Sequence, residues 1–379
     1  MKYIVNGKII LPNGILENKA LVYTDKIVDI IDRENVPAQG EIIDADGGYV
    51  SPGLIDIHIH GYLGADTMDG TPEAIKTIAN GIVKNGVTAW CPTTMTVSMD
   101  EITKTLGVVR ELKTQSKSWD GAEILGVHLE GPFINPQKKG AQPLEYILPL
   151  DSEFIIKNSD IIVKATVAPE LYNNTAEIKK ICEKCDTKIS IGHTTATFEE
   201  TLKAIDAGAT QITHTFNAQS GLNHRNPGVV GAALLSDVYT ELICDTFHIH
   251  KSLFSLVAKL KGDKLVLITD CTEAGGMPDG EYTLGNQKFQ LRGITCLLDD
   301  GTIAGSVLKL NQAVKNVRDN TDLPLYEIVK AATLNPAKAI NRDDRKGSLE
   351  KGKDADIIIT DNDFNVLKTI IGGVLKYQR

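Results

Sequence analysis

The chain has 379 residues, of which 42% are hydrophobic and 23% are charged, which predicts a folded core larger than one small compact domain. Its formal net charge of −9 argues against nucleic acid or an anionic membrane as a partner, although one local arginine can still bind an anionic metabolite. The first apolar run is broken by Asn6 and Gly7, and no stretch approaches the ~18 apolar residues of a membrane span. We therefore expect a cytoplasmic protein, and its six scattered cysteines predict no disulfide framework.

The two ends of the chain have similar sequence patterns. Residues 1–51 and 346–379 consist of short β-branched segments separated by polar turns. We expect them to pair into one small β-sandwich beside the main fold.

Between these ends, short apolar runs alternate with amphipathic stretches. Helices are predicted after Thr71-Pro72 and at two capping boxes, Ser98 with Glu101 and Thr197 with Glu200. Eight strands are predicted, at 53–60, 87–93, 123–130, 162–170, 188–193, 211–216, 239–247 and 264–270. Eightfold strand–helix alternation predicts an α/β fold in which residues 52–345 form a (β/α)₈ TIM-like barrel, with a hairpin-like insertion at 287–306 after the eighth strand. An open doubly wound sheet is less favoured, because no glycine-rich phosphate loop follows the first strand.

Histidines and carboxylates stand where these strands end. His58 and His60 are two residues apart on one strand, so both imidazoles share a face, while Glu130, His193 and His214 lie at the ends of three other strands. Because a barrel brings its carboxyl strand ends to one mouth, we predict a divalent metal site there; a hydrogen-bonded core pair is the alternative for His58 and His60 alone. Ligands without cysteine suit Zn, Fe, Co or Mn, and one or two ions per chain are expected.

Further polar residues carry weaker signals. Asp270 ends the eighth strand and is the candidate general base, with a helix N-cap as the alternative. Arg225 is a candidate phosphate anchor or else a solvated surface arginine. We favour a structural role for Lys164, and a partly buried helix face for Cys182 and Cys185 rather than a metal or redox pair.

Five segments together resemble known sequences. The segment PGLIDIHIHG resembles the first-strand motif of the amidohydrolase superfamily. The segments HLEGPF (128–133), IGHTTA (191–196), THTFNA (213–218) and LITDCTEAGG (267–276) resemble the N-acetylglucosamine-6-phosphate deacetylase family, and the likeness spans nearly the whole chain. The resemblance implies hydrolysis of the acetamide of an amino-sugar phosphate substrate, giving acetate.

Carried over residue by residue, the resemblance implies Glu130, His193 and His214 as metal ligands and Asp270 as the acid/base. It implies that the substrate is held by Asn217, Ala218, Arg225, His248, Ala304, Gly305 and Ser306. Arg225 is implied to reach the site of a neighbouring subunit, so a homodimer is implied.

The sequence departs from the family pattern at two places. His58 and His60 are both present, whereas some members lack them, so a second metal position is expected. Gln142 stands where other members often carry a histidine, and we expect it to hydrogen-bond a sugar hydroxyl.

Two rival interpretations are less favoured. Another amidohydrolase-superfamily amidase or deaminase acting on a small cyclic metabolite would more often use a carboxylated lysine or another histidine pattern than Glu130. A non-catalytic assembly protein of the same fold would be expected to lose the ligands or the base, which are all present here.

Overall fold

The computed structural model describes all residues from Met1 to Arg379. The N-terminal part consists of seven short strands: β1 (Lys2–Val5), β2 (Lys8–Leu11), β3 (Gly14–Leu16), β4 (Lys19–Tyr23), β5 (Ile27–Asp32), β6 (Glu41–Asp44) and β7 (Tyr49–Pro52). Four of them form one sheet in the order β5-β4-β1-β6.

Strands and helices alternate through the central part of the chain. The strands are β8 (Leu54–Ile59), β9 (Gly61–Tyr62), β10 (Ala65–Asp66), β11 (Val87–Pro92), β12 (Glu123–Ile124), β13 (Val127–Glu130), β14 (Ile162–Val167), β15 (Lys188–Ile191), β16 (Gln211–Ile212), β17 (Tyr239–Ile243) and β18 (Leu265–Ile268). The helices are α1 (Pro72–Ile82), α2 (Met99–Gln115), α3 (Ser152–Lys157), α4 (Asn174–Lys184), α5 (Phe198–Asp206), α6 (Gly228–Leu235) and α7 (Ser252–Lys261). Every predicted strand segment therefore contains an observed strand.

All central strands except β9 and β10, which pair antiparallel with each other, form two parallel sheets. One has six strands running from β13 to β18 in sequence order, and the other has three in the order β12-β11-β8. Two backbone hydrogen bonds link the sheets: Asp270 N donates to His58 O across 2.9 Å, and Thr94 N donates to His128 O across 3.0 Å. All residues of β8, β11 and β14 are buried, as expected of parallel strands covered on both faces. The fold is thus mixed α/β with a parallel half-barrel sheet, which brings the strand ends carrying the candidate ligands together.

The predicted helix starts are confirmed. Thr71 caps α1 with Pro72 as the first helical residue, where the missing N–H costs nothing. The Ser98 side chain accepts from Glu101 N at the start of α2, and the carboxylate of Glu101 accepts from Ser98 N in return. Thr197 and Glu200 form the same reciprocal pair at α5.

The last third of the chain adds an antiparallel sheet, three helices and three strands. The sheet consists of β19 (Gly280–Leu284), β20 (Gln287–Arg292) and β21 (Thr295–Leu297). The hairpin expected at 287–306 is formed by β20 and β21, and β19 adds a third strand before it. The elements that follow are α8 (Leu310–Asn320), α9 (Leu325–Ala331), α10 (Leu334–Ala339), β22 (Ile357–Thr360), β23 (Val366–Ile371) and β24 (Val374–Gln378).

The two ends of the chain meet in one six-stranded sheet, in the order β24-β23-β22-β7-β2-β3. Ile357 of β22 lies opposite Pro52 of β7, and the pair runs antiparallel. A separate core of buried residues joins this sheet to the four-stranded one, including Ile4, Leu21 and Ile359. Burial of these side chains stabilises the contact between residues far apart in sequence.

No helix in the structure is both long enough and apolar enough to span a bilayer.

Candidate active site

The predicted ligands come together at the carboxyl ends of the parallel strands. His58 lies in β8 with His60 just past its end, and Glu130 is the last residue of β13. His193 and His214 each lie two residues beyond β15 and β16, and all five side chains are buried.

The backbone is strained where these side chains turn inward. His193 has φ +47°, His214 has φ +26° and Asp270 has φ +51°, all in the left-handed region that non-glycine residues seldom occupy. Each such residue costs on the order of 1–3 kcal/mol, and such strain is concentrated at functional sites. Gly192 is required beside His193, because a Cβ there would lie 2.7 Å from the side chain of Thr213.

Glu130 is the centre of the cluster. Its Oε1 lies 3.1 Å from His214 Nε2 and 3.3 Å from the Nε2 atoms of His58 and His193, while its Oε2 lies 3.1 Å from His60 Nε2. Asp270 Oδ1 lies 3.2 Å from His60 Nε2 and 3.4 Å from His58 Nε2. Glu130 is therefore shared by two groups of side chains.

Both groups fit a metal ion. One consists of His58, His60, Glu130 and Asp270, the other of Glu130, His193 and His214, and each offers its ligand atoms within 4.8 Å of one another. Ligands held at about 2.0–2.1 Å around a tetrahedral ion stand about 3.3 Å apart, close to the 3.1 Å between His193 Nε2 and His214 Nε2. The buried Nε2 of His58 has no hydrogen-bond partner despite its neighbours, as expected of an atom arranged to bind a cation.

The electrostatics favour ionised carboxylates. Burial alone would raise the pKa of Glu130, but His58 and hydrogen bonds from His193 and His214 hold it well below its usual range. Burial likewise opposes ionisation of Asp270, yet His58 and His60 lower its pKa to about 2. Asp270 is thus a carboxylate at neutral pH and can accept a proton.

The ligand cluster lies beside a cavity of about 320 Å³. Of the residues expected to hold substrate, those lining this cavity are Gln142, Asn217, Ala218, His248 and Gly305. The Nδ1 of His248 is engaged with Asp245 Oδ2 at 2.6 Å, which leaves Nε2 as the ring nitrogen for a ligand.

The other expected substrate residues lie elsewhere. The backbone amides of Ala304 and Ser306 already donate to Cys296 O and to Asp270 O, so neither N–H is free for a ligand. Both side chains are buried, and Ser306 Oγ donates to Thr269 O. Arg225 is exposed on the loop before α6 and does not line the cavity of its own chain.

Gln142 contacts the ligand cluster. Its Nε2 donates to Glu130 Oε2 across 3.3 Å, and its Oε1 accepts from Thr96 N across 2.7 Å. The amide therefore orients Glu130, and because it has a second N–H and a second lone pair, the sugar contact expected from the sequence stays a prediction.

Sequence reasoning missed one residue at the site and did not connect another with the ligands. Glu241 of β17 accepts from His58 Nδ1 and pairs with Lys164 of β14, and neither side chain is exposed. Lys164, for which the sequence favours a structural role, is linked to His58 through Glu241. The available signal was one charge of each sign inside two otherwise apolar strands, since buried charges need partners.

Two further histidines and the Cys182–Cys185 pair lie away from the cluster. His224 and His250 are exposed. Cys182 lies in α4 and Cys185 just after it, both as partly buried free thiols.

Comparison with known proteins places the chain in a family. Residues 49–376 match the amidohydrolase family. The chain is 38% identical to N-acetylglucosamine-6-phosphate deacetylase of Bacillus subtilis strain 168, over 97% of this chain and 95% of the relative. It is 33% identical to N-acetylgalactosamine-6-phosphate deacetylase of Escherichia coli O157:H7, over 97% of both chains.

A solved structure gives the same result. The crystal structure of N-acetylglucosamine-6-phosphate deacetylase from Pasteurella multocida superposes with a TM-score of 0.95 and 34% sequence identity, covering 100% of both chains. The match extends from the sheet that joins the two ends to the ligand cluster between the parallel sheets. This chain belongs to the amidohydrolase family.

Proposed function

We propose that this chain is a metal-dependent deacetylase that hydrolyses N-acetyl-D-glucosamine 6-phosphate to D-glucosamine 6-phosphate and acetate. The observation that carries the proposal is Glu130, shared by four histidines and flanked by Asp270 at the edge of a cavity of about 320 Å³. The relatives that match over nearly the full length are amino-sugar-phosphate deacetylases, which supports the substrate class.

The residues that would hold metal are those of the two groups around Glu130. Glu130, His193 and His214 would hold one ion, and His58, His60 and Asp270 with the shared Glu130 would hold a second. Imidazole and carboxylate ligands suit Zn, Fe, Co or Mn. When bound, a divalent ion would supply polarisation of the amide carbonyl and activation of water near neutral pH.

The chain's own residues move the proton. Asp270 accepts a proton from the attacking water as its oxygen bonds to the amide carbon. It then delivers this proton to the amine nitrogen as the C–N bond breaks, so that water and amide become acetate and amine. His248, with its Nδ1 held by Asp245, presents Nε2 to the cavity, where it can hold the substrate or the developing negative charge on the carbonyl oxygen.

The substrate is held by groups on both sides of the cavity in this proposal. Asn217 and Ala218 line it from the loop after β16, and Gly305 lines it from the segment after β21. Arg225 binds the phosphate in a neighbouring subunit of a homodimer; its exposure outside its own cavity supports this.

We also propose a closed eight-stranded barrel for residues 52–345, with a β-sandwich built from residues 1–51 and 346–379. The hydrogen bonds from Asp270 N to His58 O and from Thr94 N to His128 O support closure, because they join the two parallel sheets at both edges.

One relative raises the question of which amino sugar is the substrate. N-acetylgalactosamine 6-phosphate differs in the orientation of a single hydroxyl, and a relative 33% identical carries the name of its deacetylase. The higher identity to the glucosamine enzyme favours the glucosamine substrate.

The test is acetate release from N-acetylglucosamine 6-phosphate, measured beside its galactosamine epimer and the unphosphorylated sugar. We expect the phosphorylated glucosamine substrate to have the highest kcat/KM, and chelation of metal to abolish turnover. If metal-loaded protein released acetate from none of the three compounds, the deacetylase proposal would be rejected. A higher kcat/KM for the epimer would reject the glucosamine assignment.

A further inference from the structure

A charged pair lies inside the parallel sheet beneath the ligand cluster. Lys164 of β14 and Glu241 of β17 are both fully buried, and Lys164 Nζ contacts Glu241 Oε1. The other carboxylate oxygen, Oε2, lies 3.1 Å from His58 Nδ1 and also accepts the backbone N–H of His214 across 3.2 Å.

Stability alone does not account for this pair. Taking two charges out of water costs several kcal/mol per ion, and apolar residues of similar volume often give an equally stable protein. The two strands that carry the pair, Ile162–Val167 and Tyr239–Ile243, are mostly apolar apart from threonines and one tyrosine, and they would accommodate such a replacement. The contacts of the pair with other residues therefore indicate its role.

Its contacts fix one ring of the cluster. A carboxylate can only accept, so His58 must donate its Nδ1–H to Glu241, and the lone pair of the neutral ring is then at Nε2. This is the nitrogen that lies 3.3 Å from Glu130 Oε1 and 3.4 Å from Asp270 Oδ1. Lys164 in turn supplies the counter-charge that keeps Glu241 an acceptor in an apolar interior.

We infer that Lys164 and Glu241 are positioning residues that hold His58 in the tautomer and orientation needed to bind the second metal ion. The inference rests on the proposed metal-dependent function. It predicts that the pair determines how tightly the group formed by His58, His60, Glu130 and Asp270 binds its metal ion. The group formed by Glu130, His193 and His214 contacts the pair through the hydrogen bond from His214 N to Glu241 Oε2, which involves the backbone and not the ligating ring. Its ion should therefore depend less on the pair than the second ion does.

The test is a Co²⁺ titration of the metal-stripped full-length protein, followed by visible absorption and by elemental analysis of the loaded protein. Three variants are compared with wild type: Glu241→Gln, Lys164→Met and the double variant. The double variant removes both charges together, so it leaves no unpaired buried charge that could prevent folding. Gln211→Met is the control, since Gln211 is buried in the same sheet and its side chain hydrogen-bonds only to Ala339 O.

We expect wild type and Gln211→Met to bind two Co²⁺ ions per chain. Glu241→Gln and the double variant should keep the first ion and bind the second about 10–100-fold more weakly, as is usual when the partner of a ligating histidine is lost. Unchanged affinity for the second ion in the folded double variant would overturn the inference. So would a wild type that binds only one ion, or an equal loss in Gln211→Met. None of these readouts depends on the sugar substrate, so failure of the deacetylase proposal would be recorded separately by the acetate assay.

Discussion

Gln142 donates its side-chain amide to Glu130, the carboxylate that all four clustered histidines approach. The same side chain is fixed at its other end by Thr96 N. Partners of this kind orient metal ligands, and losing one typically lowers metal affinity 10–100-fold. We therefore expect Gln142→Leu to release metal to a chelator at about 10–100-fold lower chelator concentration than wild type, with KM changed little.

Gln137→Leu is the matched control for this prediction. Gln137 lines the same cavity, but its side chain makes no hydrogen bond to Glu130. A Gln142→Leu enzyme with wild-type metal affinity and a raised KM would instead favour the sugar contact expected from the sequence.

Asp270→Asn should lower kcat by about 10²–10⁴ and leave the protein folded, because the amide keeps the shape of the carboxylate and cannot accept a proton. The measurement is kcat for acetate release with metal content determined in parallel. Asp279→Asn, the same change on an exposed loop, serves as the control. If Asp270→Asn retained more than about a tenth of the wild-type kcat, Asp270 would not be the base.

Arg225→Ala should lower kcat/KM for the phosphorylated sugar by roughly 30- to 1,000-fold, mainly through KM, since a guanidinium forms paired, charge-assisted hydrogen bonds with phosphate. Activity on the unphosphorylated sugar should hardly change. Arg33→Ala, at another exposed arginine, should match wild type on both sugars.

The sharing of Arg225 between subunits has its own test. Mixing Arg225→Ala chains with Asp270→Asn chains should restore activity, because one hybrid site then combines an intact base with an intact arginine. Purified heterodimers without recovered activity would exclude a shared site.

The strands and ligands were predictable from the sequence because each has a local signal. A ligand such as Glu130 or His193 directly follows an apolar run, and parallel strands must end at one edge. Lys164 and Glu241 show the limit of this reasoning. Each is visible as a charge in an apolar strand, but that they meet under His58 depends on the arrangement of three strands in space.

Which backbone amides are already hydrogen-bonded could not be predicted for the same reason. The resemblance implies that Ala304 and Ser306 hold substrate, but their backbone amides are not free for a ligand. Those amides are used by Cys296 and Asp270, residues brought there by tertiary pairing. No local pattern encodes that pairing.

A second buried charge cluster joins the parallel sheet to the chain's C-terminal part. Lys346 is buried, and its Nζ lies 2.7 Å from Glu123, 2.9 Å from Asp354 and 2.6 Å from Asp356. Burial raises the pKa of Glu123, but Arg345 and Lys346 bring it below its ordinary value, and Lys346 likewise lowers that of Asp354. For Asp356, burial outweighs Lys346 and the pKa is raised.

Lys346→Met should destabilise the protein by about 3–5 kcal/mol, because it leaves the buried carboxylate of Asp356 without a cation and removes one of the cations paired with Glu123 and Asp354. It should also weaken the acid sensitivity of folding. Groups with a lowered folded pKa, here Glu123 and Asp354, stabilise the fold above their ordinary pKa of about 4 and lose that contribution as the pH falls. Asp356 acts in the opposite direction, but it is one group against two.

The measurement is urea unfolding at pH 7 and at steps down to pH 3. Lys288→Met is the control, since Lys288 pairs with Glu281 on the surface, where solvent screens the charges. We expect the wild-type midpoint to fall steeply below about pH 4.5 and the Lys346→Met midpoint to start lower and fall less. Parallel pH profiles for the two proteins would show that Lys346 does not set the ionisation of these carboxylates.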